Sequence, residues 1–304
     1  MQRDAEELLA ALSGDLSVVD RAQAGRCLAE LGDPRPEIMV AGRMLFCRIP
    51  AGTFLRGCSP DDSLGREREK PLREVLLEYD FWLAKHPVSV AQYRAFSAAT
   101  ARGRSPSTAS GYAENFPVAH ISMDDALAFC EWVSGQLVAA SPISPANEAL
   151  APWSRALAAG ILRTSLPSED EWEKAARGPT AAWMYPWGAG ADANKANYQE
   201  SGLGTYCSLG CFPLGESPFG VADLSGNVWE RCRGSLVVEG VRCAPLRGGA
   251  FSSTARHVRC AYRNLSYREH GRSRTVGFRL ALVPALYLDS EASKPTRQRV
   301  GERT

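Results

Sequence analysis

The sequence predicts an α+β fold, with helices in the first part of the chain and strands and long loops in the second. Apolar residues recur at clear helical spacing only before Gly178. After Gly178, short strand-like runs alternate with loops rich in Gly, Trp and Asn, and the whole chain contains 27 Gly and 19 Pro. Because helices and strands do not alternate along the chain, the pattern favours the α+β class over a β-α-β protein.

The composition is that of an ordinary globular protein. Of the 304 residues, 45% are hydrophobic and 23% are charged, and the net charge is +1. A net charge this close to zero gives no electrostatic reason to expect binding to nucleic acid or to a membrane. The N-terminus is charged and lacks the apolar core of a signal peptide, and no run of 18 apolar residues occurs. We therefore expect a cytoplasmic protein.

The first 40 residues predict a helical hairpin. Residues 5–32 show two short helical patterns, the first marked by a stripe of Leu8, Leu9 and Leu12, and the second ending at the loop "GDPRP". The pattern is similar to one unit of a helical repeat. A single hairpin cannot bury its own core, so we expect residues 1–40 to pack on the domain that follows.

The next region predicts strands first and helices afterwards. "MLFCRIPAGTFLRGC" and "VLLEYDFWLAKHPVS" are typical of strands and flank a charged loop. Three helices are predicted over "SVAQYRAFSAAT", "SMDDALAFCEWVSGQL" and "LPSEDEWEKAARG". Ser89, Ser122 and Ser168 stand at their N-caps, and Glu171 completes a capping box with Ser168.

Two segments lack such patterns. Residues 139–162 are rich in Ala and Pro and predict an insertion that crosses the surface. Residues 286–304 predict a flexible tail. The expected organisation is thus a hairpin at 1–40, one domain at 41–285 and the tail.

Nine motifs, in order between residues 44 and 283, resemble one enzyme family. They are "IPAGTFLRG", "KHPVSVAQYRAF", "ISMDDALAFCEW", "LPSEDEWEKAARG", "YPWG", "ANYQE", "GESPFGVADLSGNVWE", "LRGGAF" and "GFRLAL". Together they resemble the formylglycine-generating enzyme (sulfatase-modifying factor) superfamily. The resemblance implies a C-type-lectin-like fold, with a small twisted sheet, two flanking helices and long structured loops.

The residues that this superfamily uses for copper chemistry are missing. The resemblance implies two cysteines soon after Arg-Gly-Gly, since Cu(I) prefers soft thiolate ligands. Ser252 and Ser253 stand where the first cysteine is expected, nothing near Arg256 replaces the second, and Cys260 matches a non-catalytic position. We expect no copper, which makes an oxidoreductase of this superfamily a weak alternative.

The other cysteines give no clear metal site. The chain has nine cysteines, an odd number, and with no signal peptide this favours reduced thiols. Only Cys207 and Cys211 lie close together, as C-x₃-C. Two buried thiols are the first interpretation, and a disulfide or part of a metal site is the alternative.

The histidines argue against iron. The sulfoxide-synthase branch of the superfamily needs three histidines, two of them in an H-x₃-H-x-E motif. The chain has only His86, His120, His257 and His270, none of which has a partner at that spacing. We expect no iron, and interpret a lone residue such as His86 as a structural group.

One structural metal site is implied by the resemblance. "DLSGNVWE" is similar to the family's calcium-binding turn, in which Asp223 and Glu230 would bind through side chains and Gly226 and Val228 through carbonyls. Hard oxygen ligands suit Ca²⁺. The alternative is that both carboxylates only form hydrogen bonds within the loop. A second family site near Asn197 lacks its acidic partner.

The polar segment, defined as residues 250–276, resembles a different relative more closely. Variable proteins of diversity-generating retroelements share the C-type-lectin-like fold. The segment between their Arg-Gly-Gly and Gly-Phe-Arg motifs is rewritten at adenines, so Asn codons become many residue types but not Lys, Glu, Gln, Met or Trp. From Ala250 to Leu282 this chain has no Lys, Gln, Met or Trp, and Glu269 is its one Glu.

This second resemblance implies a ligand-binding surface on a fixed frame. Gly248 and Gly249 at one end, with Phe278 and Leu280 at the other, would carry the fold. The residues expected to contact ligand are Ser252, Ser253, Thr254, His257, Leu265, Ser266, Tyr267, Arg268, His270, Arg272, Ser273, Arg274 and Thr275. Tyr, Ser, Arg and His are frequent in binding surfaces because they combine aromatic area with adaptable hydrogen bonds.

The charge of the segment predicts the kind of ligand. Residues 256–279 contain seven Arg and one Glu, which favours an acidic protein or small molecule. The alternative is that these arginines pair with structural carboxylates. Nucleic acid is not favoured, since no known binding module occurs. We therefore predict a non-catalytic ligand-binding protein, the alternatives being an oxidoreductase of the superfamily or a regulatory module of fixed specificity.

Overall fold

The chain has an α+β fold, as predicted, although four strands already precede the α-helices of the main domain. The computed structural model describes residues 2–13, 15–102, 112–140, 152–179, 182–265, 267–292 and 297–299. The helices are α1 (Gln2–Ser13), α2 (Val18–Leu31), α3 (Pro36–Met39), α4 (Val90–Thr100), α5 (Met123–Ala140), α6 (Pro152–Ala158), α7 (Glu169–Arg177) and α8 (Ala285–Ala292). The strands are β1 (Phe46–Ile49), β2 (Gly52–Arg56), β3 (Arg73–Leu77), β4 (Phe81–Ala84), β5 (Leu162–Ser165), β6 (Trp229–Arg231), β7 (Leu236–Val238), β8 (Val241–Cys243), β9 (Leu246–Arg247), β10 (Val276–Gly277), β11 (Ala281–Pro284) and β12 (Arg297–Arg299).

The main sheet joins strands from distant parts of the chain. Its order is β1-β4-β11-β5, and all pairs are antiparallel. Ala281 of β11 pairs with Leu83 on one side and with Ser165 on the other. The strand that follows the polar segment therefore lies inside the sheet, and it fixes the end of that segment to the core.

The largest core cluster lies between this sheet and helices α4 and α5. Phe96, Phe129 and Phe278 are all at most 1% exposed, and the rings of Phe129 and Phe278 meet at 5.4 Å in an edge-to-face arrangement. Burying a side chain of this size contributes about 1.5–3 kcal/mol to folding. Phe278 belongs to Gly-Phe-Arg, so this motif carries the fold, as predicted.

The predicted helix starts are confirmed. Ser89 and Ser168 each accept a hydrogen bond from the backbone N–H three residues ahead, and both form complete capping boxes. The Ser122 hydroxyl accepts from the N–H of Asp125 at 3.2 Å. These caps satisfy N–H groups that the first helical turn leaves without a partner.

The N-terminal hairpin packs on the rest of the chain as expected. Leu12 and Leu28 share a buried cluster with Cys207, Cys211 and Phe212. The two thiols are free and buried, and burial raises the pKa of Cys207. They are therefore part of the hairpin's docking surface, and the alternative of a disulfide is wrong.

Two predictions about irregular segments are wrong in their described parts. Within 139–162, α6 forms a helix whose Trp153 and Leu157 lie in the main core, because residues four apart face the same side of a helix. Residues 141–151 lie outside the described residues. The predicted tail begins with α8, where Tyr287 contacts the ring of Tyr79 at 4.0 Å.

No helix of the described part of the chain is long and apolar enough to span a bilayer.

Candidate functional site

The polar segment begins at a tight backbone turn. Gly248 and Gly249 have φ of +87° and +76°, a region that side chains rarely adopt. A Cβ on Gly248 would lie 2.7 Å from the Leu224 carbonyl oxygen, and one on Gly249 would lie 2.5 Å from Val258. The predicted role of these glycines as frame residues is thus supported by both conformation and space.

Both ends of the segment are fixed to one strand. The small sheet has the order β10-β6-β9, so β6 pairs with the strand before the segment and with the strand after it. Arg247 of β9 is fully buried and pairs with Glu173 of α7. Phe278 and Leu280, just after β10, are also fully buried.

The anchored half of the segment, residues 256–265, is held by its own side chains. Val258, Cys260 and Leu265 are buried. The buried guanidinium of Arg259 donates from Nη2 to Oε2 of Glu69 at 2.6 Å. Replacing such side chains would remove core contacts or break an ion pair, so this half has little freedom to vary.

The loop half, residues 267–275, is held mainly through its backbone. Arg231 of β6 is fully buried and donates to the main-chain carbonyls of Glu269 and Gly271. Its guanidinium also lies 5.4 Å from the ring centroid of Tyr267. Burial lowers the pKa of Arg231 to about 10, but its carbonyl acceptors compensate for the loss of water.

Other residues outside the loop half also contact its main chain. The Tyr206 hydroxyl donates to the carbonyl of Arg274, and the N–H of Trp229 donates to the carbonyl of Thr275 at 2.8 Å. These acceptors are backbone atoms, which every residue type provides. The conformation of this half therefore depends little on which side chains it carries.

Tyr267 packs against Arg231 and Arg272 pairs with Asp125, but several other side chains of the loop half face solvent. Arg268, His270 and Arg274 are exposed. His270 pairs with Asp124 at 2.9 Å, where the two side chains are 68% and 71% exposed. An ion pair this exposed contributes little to stability.

A short turn completes the surface at the start of the segment. Ser252 is exposed, whereas Ser253 is buried and its hydroxyl accepts from the N–H of Ala250 at 2.9 Å. The Thr254 hydroxyl and Nδ1 of His257 share a hydrogen bond of 2.8 Å. Ser252, Thr254 and His257 are therefore placed where a ligand could reach them.

The thirteen predicted ligand-contacting residues do not form one surface. Ten of them are exposed or partly exposed: Ser252, Thr254, His257, Tyr267, Arg268, His270, Arg272, Ser273, Arg274 and Thr275. Ser253 and Leu265 are buried, 9% and 4% exposed, and this part of the prediction is wrong because one closes a turn and the other fills the core. Ser266 lies outside the described residues.

Four of the seven arginines at 256–279 are already paired with carboxylates. Arg259 and Arg279 form buried ion pairs with Glu69 and Glu230, each at 2.6 Å. Arg263 pairs with Glu169, and Arg272 pairs with Asp125 at 2.7 Å, in both cases with partly buried side chains. The alternative interpretation of these residues is thus supported, and the positive charge predicted from the count of arginines is largely neutralised.

Four residues beside His257 were missed by sequence reasoning. The ring of Tyr262 lies 4.8 Å from the His257 ring and 5.7 Å from that of Trp229. The guanidinium groups of Arg66 and Arg68 lie 5.4 and 5.8 Å from the Tyr262 centroid. The two arginines belong to the charged loop before β3, and no local pattern connects that loop with residues almost 200 positions later.

A cleft of about 450 Å³ opens beside the anchored half but offers no reactive group. Cys58, Asp62 and Arg259 are among its lining residues. Arg259 and Asp62 pair with each other at 3.2 Å. Burial, with Glu69 and Asp62 nearby, raises the pKa of the Cys58 thiol, which disfavours the nucleophilic thiolate.

The predicted calcium turn has its carboxylates occupied. Its expected ligands are Asp223, Gly226, Val228 and Glu230. Arg279 donates to both oxygens of Glu230 at 2.6 Å, and the indole N–H of Trp172 donates to one of them at 2.7 Å. Burial raises the pKa of Glu230, while Arg279 favours the ionised form. A calcium ion at Glu230 would have to displace these donors.

Asp223 is occupied as well. Its Oδ2 contacts Nδ1 of His86 and the N–H of Gly210, each at 2.9 Å. Burial opposes the charge of Asp223, but these donors hold its pKa below the usual value. The carbonyls of Gly226 and Val228 alone are too few for Ca²⁺, which takes six to eight oxygen ligands. The arrangement therefore does not fit calcium. Comparing the melting temperature with and without a chelator tests this conclusion.

The four histidines lie in different surroundings. His86 contacts Asp223, which supports its interpretation as a structural group, while His257 contacts Thr254 and His270 contacts Asp124. Across the described ranges, no three His, Cys, Asp or Glu side chains converge to hold a metal ion.

Comparison with known proteins gives a consistent set of matches. The model of the sulfatase-modifying factor enzyme 1-like domain matches residues 39–283. The inactive C-alpha-formylglycine-generating enzyme 2 of Mus musculus is 26% identical over 279 residues, which cover 74% of this chain and 80% of that protein.

Solved structures share the fold. PvdO from Pseudomonas aeruginosa has a TM-score of 0.60 and 21% identity, covering 78% of this chain and 93% of that one. Treponema denticola variable protein 1 has a TM-score of 0.53 and 21% identity, covering 79% and 95%.

Proposed function

The chain belongs to the sulfatase-modifying factor enzyme 1-like family and has its C-type-lectin-like fold, and from this premise we propose that it is a non-catalytic ligand-binding protein. Its binding surface consists of the loop half, residues 267–275, together with Ser252, Thr254 and His257. This surface is smaller than the whole polar segment, because the anchored half carries the fold.

One observation carries the proposal. The loop half is held at its carbonyls by Arg231, Tyr206 and the N–H of Trp229, none of which lies within the segment. A surface held in this way keeps its shape when its side chains change. That property is what a binding surface of replaceable sequence needs.

The chemistry at the start of the segment supports the absence of copper catalysis. The buried Ser253 hydroxyl closes a turn, and a hydroxyl does not replace a thiolate as a ligand for Cu(I). The nearest thiol along the chain, Cys260, is buried, and burial raises its pKa to about 12. This thiol therefore offers copper no preformed thiolate.

The similarity to a variable protein gives the proposal a genetic test. A near-copy of the DNA that encodes residues 250–282, differing at adenines, should lie beside a reverse-transcriptase gene. The structure sharpens this expectation: differences should fall on codons for 252, 254, 257 and 267–275. Codons for 258–263 should be unchanged, because those side chains form the core and its ion pairs.

Sequencing the neighbourhood of the gene decides the question. A template whose differences concentrate in the loop half would support the proposal. If no template exists, the surface is not a replaceable one and the proposal is wrong in that respect. Oxidation of a cysteine-containing peptide by the purified, copper-loaded protein would contradict its non-catalytic part.

A further inference from the structure

A compact group of cationic and aromatic side chains lies beside the proposed binding surface. The Tyr262 ring, 4% exposed, forms its floor. Arg66 and Arg68 lie over that ring at 5.4 and 5.8 Å, and the His257 ring meets it edge-on at 4.8 Å. Cation-π contacts of this kind orient guanidinium groups and leave their N–H donors at the edge of the plane.

The two arginines have no acceptor for their charge among the described residues. Across the residues that the structure describes, neither the Arg66 nor the Arg68 guanidinium forms a hydrogen bond or an ion pair, although both side chains are partly buried. Nε of Arg68 is fully buried and lacks a partner. An unpaired buried donor of a charged group is costly unless a ligand satisfies it.

Three carboxylates of the same loop are engaged elsewhere. Asp62 and Glu69 both accept from Arg259, at 3.2 and 2.6 Å. Glu67 pairs with Lys70 at 3.1 Å. These three carboxylates therefore do not neutralise the charge that lies over Tyr262.

His257 adds a neutral donor to the group. Its Nδ1 is fixed by the Thr254 hydroxyl at 2.8 Å, and its Nε2 has no partner among the described residues. Burial, together with Arg66 and Arg256, lowers the pKa of His257. Near neutral pH the ring is therefore uncharged, and with Thr254 as the donor to Nδ1, an Nε2–H group can donate to a ligand.

We propose that Arg66, Arg68 and His257 form a subsite, floored by Tyr262, for a tetrahedral oxyanion such as a phosphate or sulfate group of the ligand. Two guanidinium groups and one imidazole N–H can supply the charge-assisted hydrogen bonds that such a group accepts. Arg66 and Arg68 lie outside the polar segment, so the subsite stays constant while the loop half changes. The subsite rests on the proposed function in one respect: the oxyanion is taken to belong to the ligand of the proposed binding surface.

Inorganic phosphate and inorganic sulfate, each titrated at constant ionic strength, test the subsite. The imidazole signals of the four histidines are followed by NMR, and His257→Gln identifies the signal of His257. We expect saturable binding of at least one of the two anions that shifts the His257 signal, raises its pKa and leaves His270 unchanged. The anion that binds more tightly shows whether the subsite prefers a phosphate or a sulfate group.

Variants matched in charge separate a specific site from general attraction. The pair Arg66→Gln and Arg68→Gln should weaken anion binding by about tenfold or more, because it removes charge-assisted hydrogen bonds. The pair Arg43→Gln and Arg102→Gln removes the same charge from exposed positions outside the proposed surface and should change binding by less than about twofold. If the protein with the first pair of substitutions does not fold, Arg66→Lys and Arg68→Lys are used instead. They keep the charge but remove the paired N–H donors of the guanidinium groups, and they should still weaken binding several-fold.

The inference is overturned if neither anion gives a saturable shift at His257, or if the Arg43 and Arg102 pair loses binding equally. Either result would leave the proposed binding surface intact, since the template test addresses residues 267–275 independently. If anion binding is normal but no template exists, the oxyanion subsite stands and the replaceable surface does not.

Discussion

The two halves of the polar segment are stabilised in opposite ways. In residues 256–265 the side chains make the stabilising contacts: Leu265 fills the core and Arg259 pairs with buried Glu69. In residues 267–275 the main chain supplies most of the contacts, and side chains such as Arg268 remain exposed. The difference shows how one continuous segment can both complete a fold and present a surface of changeable sequence.

This division also explains why polarity was a poor guide to exposure. Arg259 is as polar as Arg268, yet it is 1% exposed, because Glu69 and Asp62 supply its acceptors. Charged side chains in the segment therefore have two different roles. In the anchored half it is structural, and in the loop half it is available to a partner.

The largest effect is expected in the anchored half, from Arg259→Met. This change leaves Glu69 buried without its partner and should lower the free energy of unfolding by roughly 3–5 kcal/mol, as measured in urea. Adding Glu69→Gln removes the unpaired charge and should recover part of the loss. A loss below about 1 kcal/mol in the single variant would show that this half is not anchored by its side chains.

A smaller effect is expected from Arg231→Met, which removes the backbone support of the loop half. Arg231 donates to the carbonyls of Ile121, Glu269 and Gly271, and each lost bond contributes about 1 kcal/mol, so the total loss should be about 2–3 kcal/mol. Hydrogen exchange should accelerate in residues 267–275 and remain slow in 256–265. Equal acceleration in both halves would contradict the division.

His257, at the junction of the surface and the anchored half, should contribute to the pH dependence of the free energy of unfolding. Burial and the nearby arginines lower its pKa in the folded state, so the unfolded chain binds its proton more readily. The stability linked to this residue is therefore full above its ordinary pKa of about 6.5 and decreases as pH falls below it. His257→Gln should flatten this part of the profile, while the exposed His270→Gln should not.

Chelation should have no effect on the frame that both halves share. Arg279 and Trp172 already satisfy Glu230, and His86 satisfies Asp223, so the turn needs no cation. The melting temperature in EDTA should equal that in calcium. A fall in EDTA that calcium restores would show that the turn binds the ion after all.

Local features of the fold could be predicted from the sequence. The caps at Ser89 and Ser168 and the tight turn at Gly248 depend on residues close in the chain, and all three are present. Burial of Ser253 and Leu265 could not be predicted, because it depends on how the segment folds back over the small sheet.

Pairing between distant residues was likewise beyond the sequence. Glu69 and Glu169 lie 190 and 94 positions from the arginines they bind. The same applies to Arg66 and Arg68, which reach Tyr262 only in the folded chain. Their sequence neighbourhood indicated a charged loop and gave no sign of the residues it contacts.

The central claim is that the side chains of the replaceable surface do not carry the fold, and one variant tests it directly. Ser252, Arg268, His270 and Arg274 are exposed and are replaced together by Ala, and the free energy of unfolding is measured in urea. We expect a change within about 1 kcal/mol, the size expected of exposed positions. A loss of about 3 kcal/mol or more would contradict it, since the surface would then be part of the structure that it is proposed to decorate.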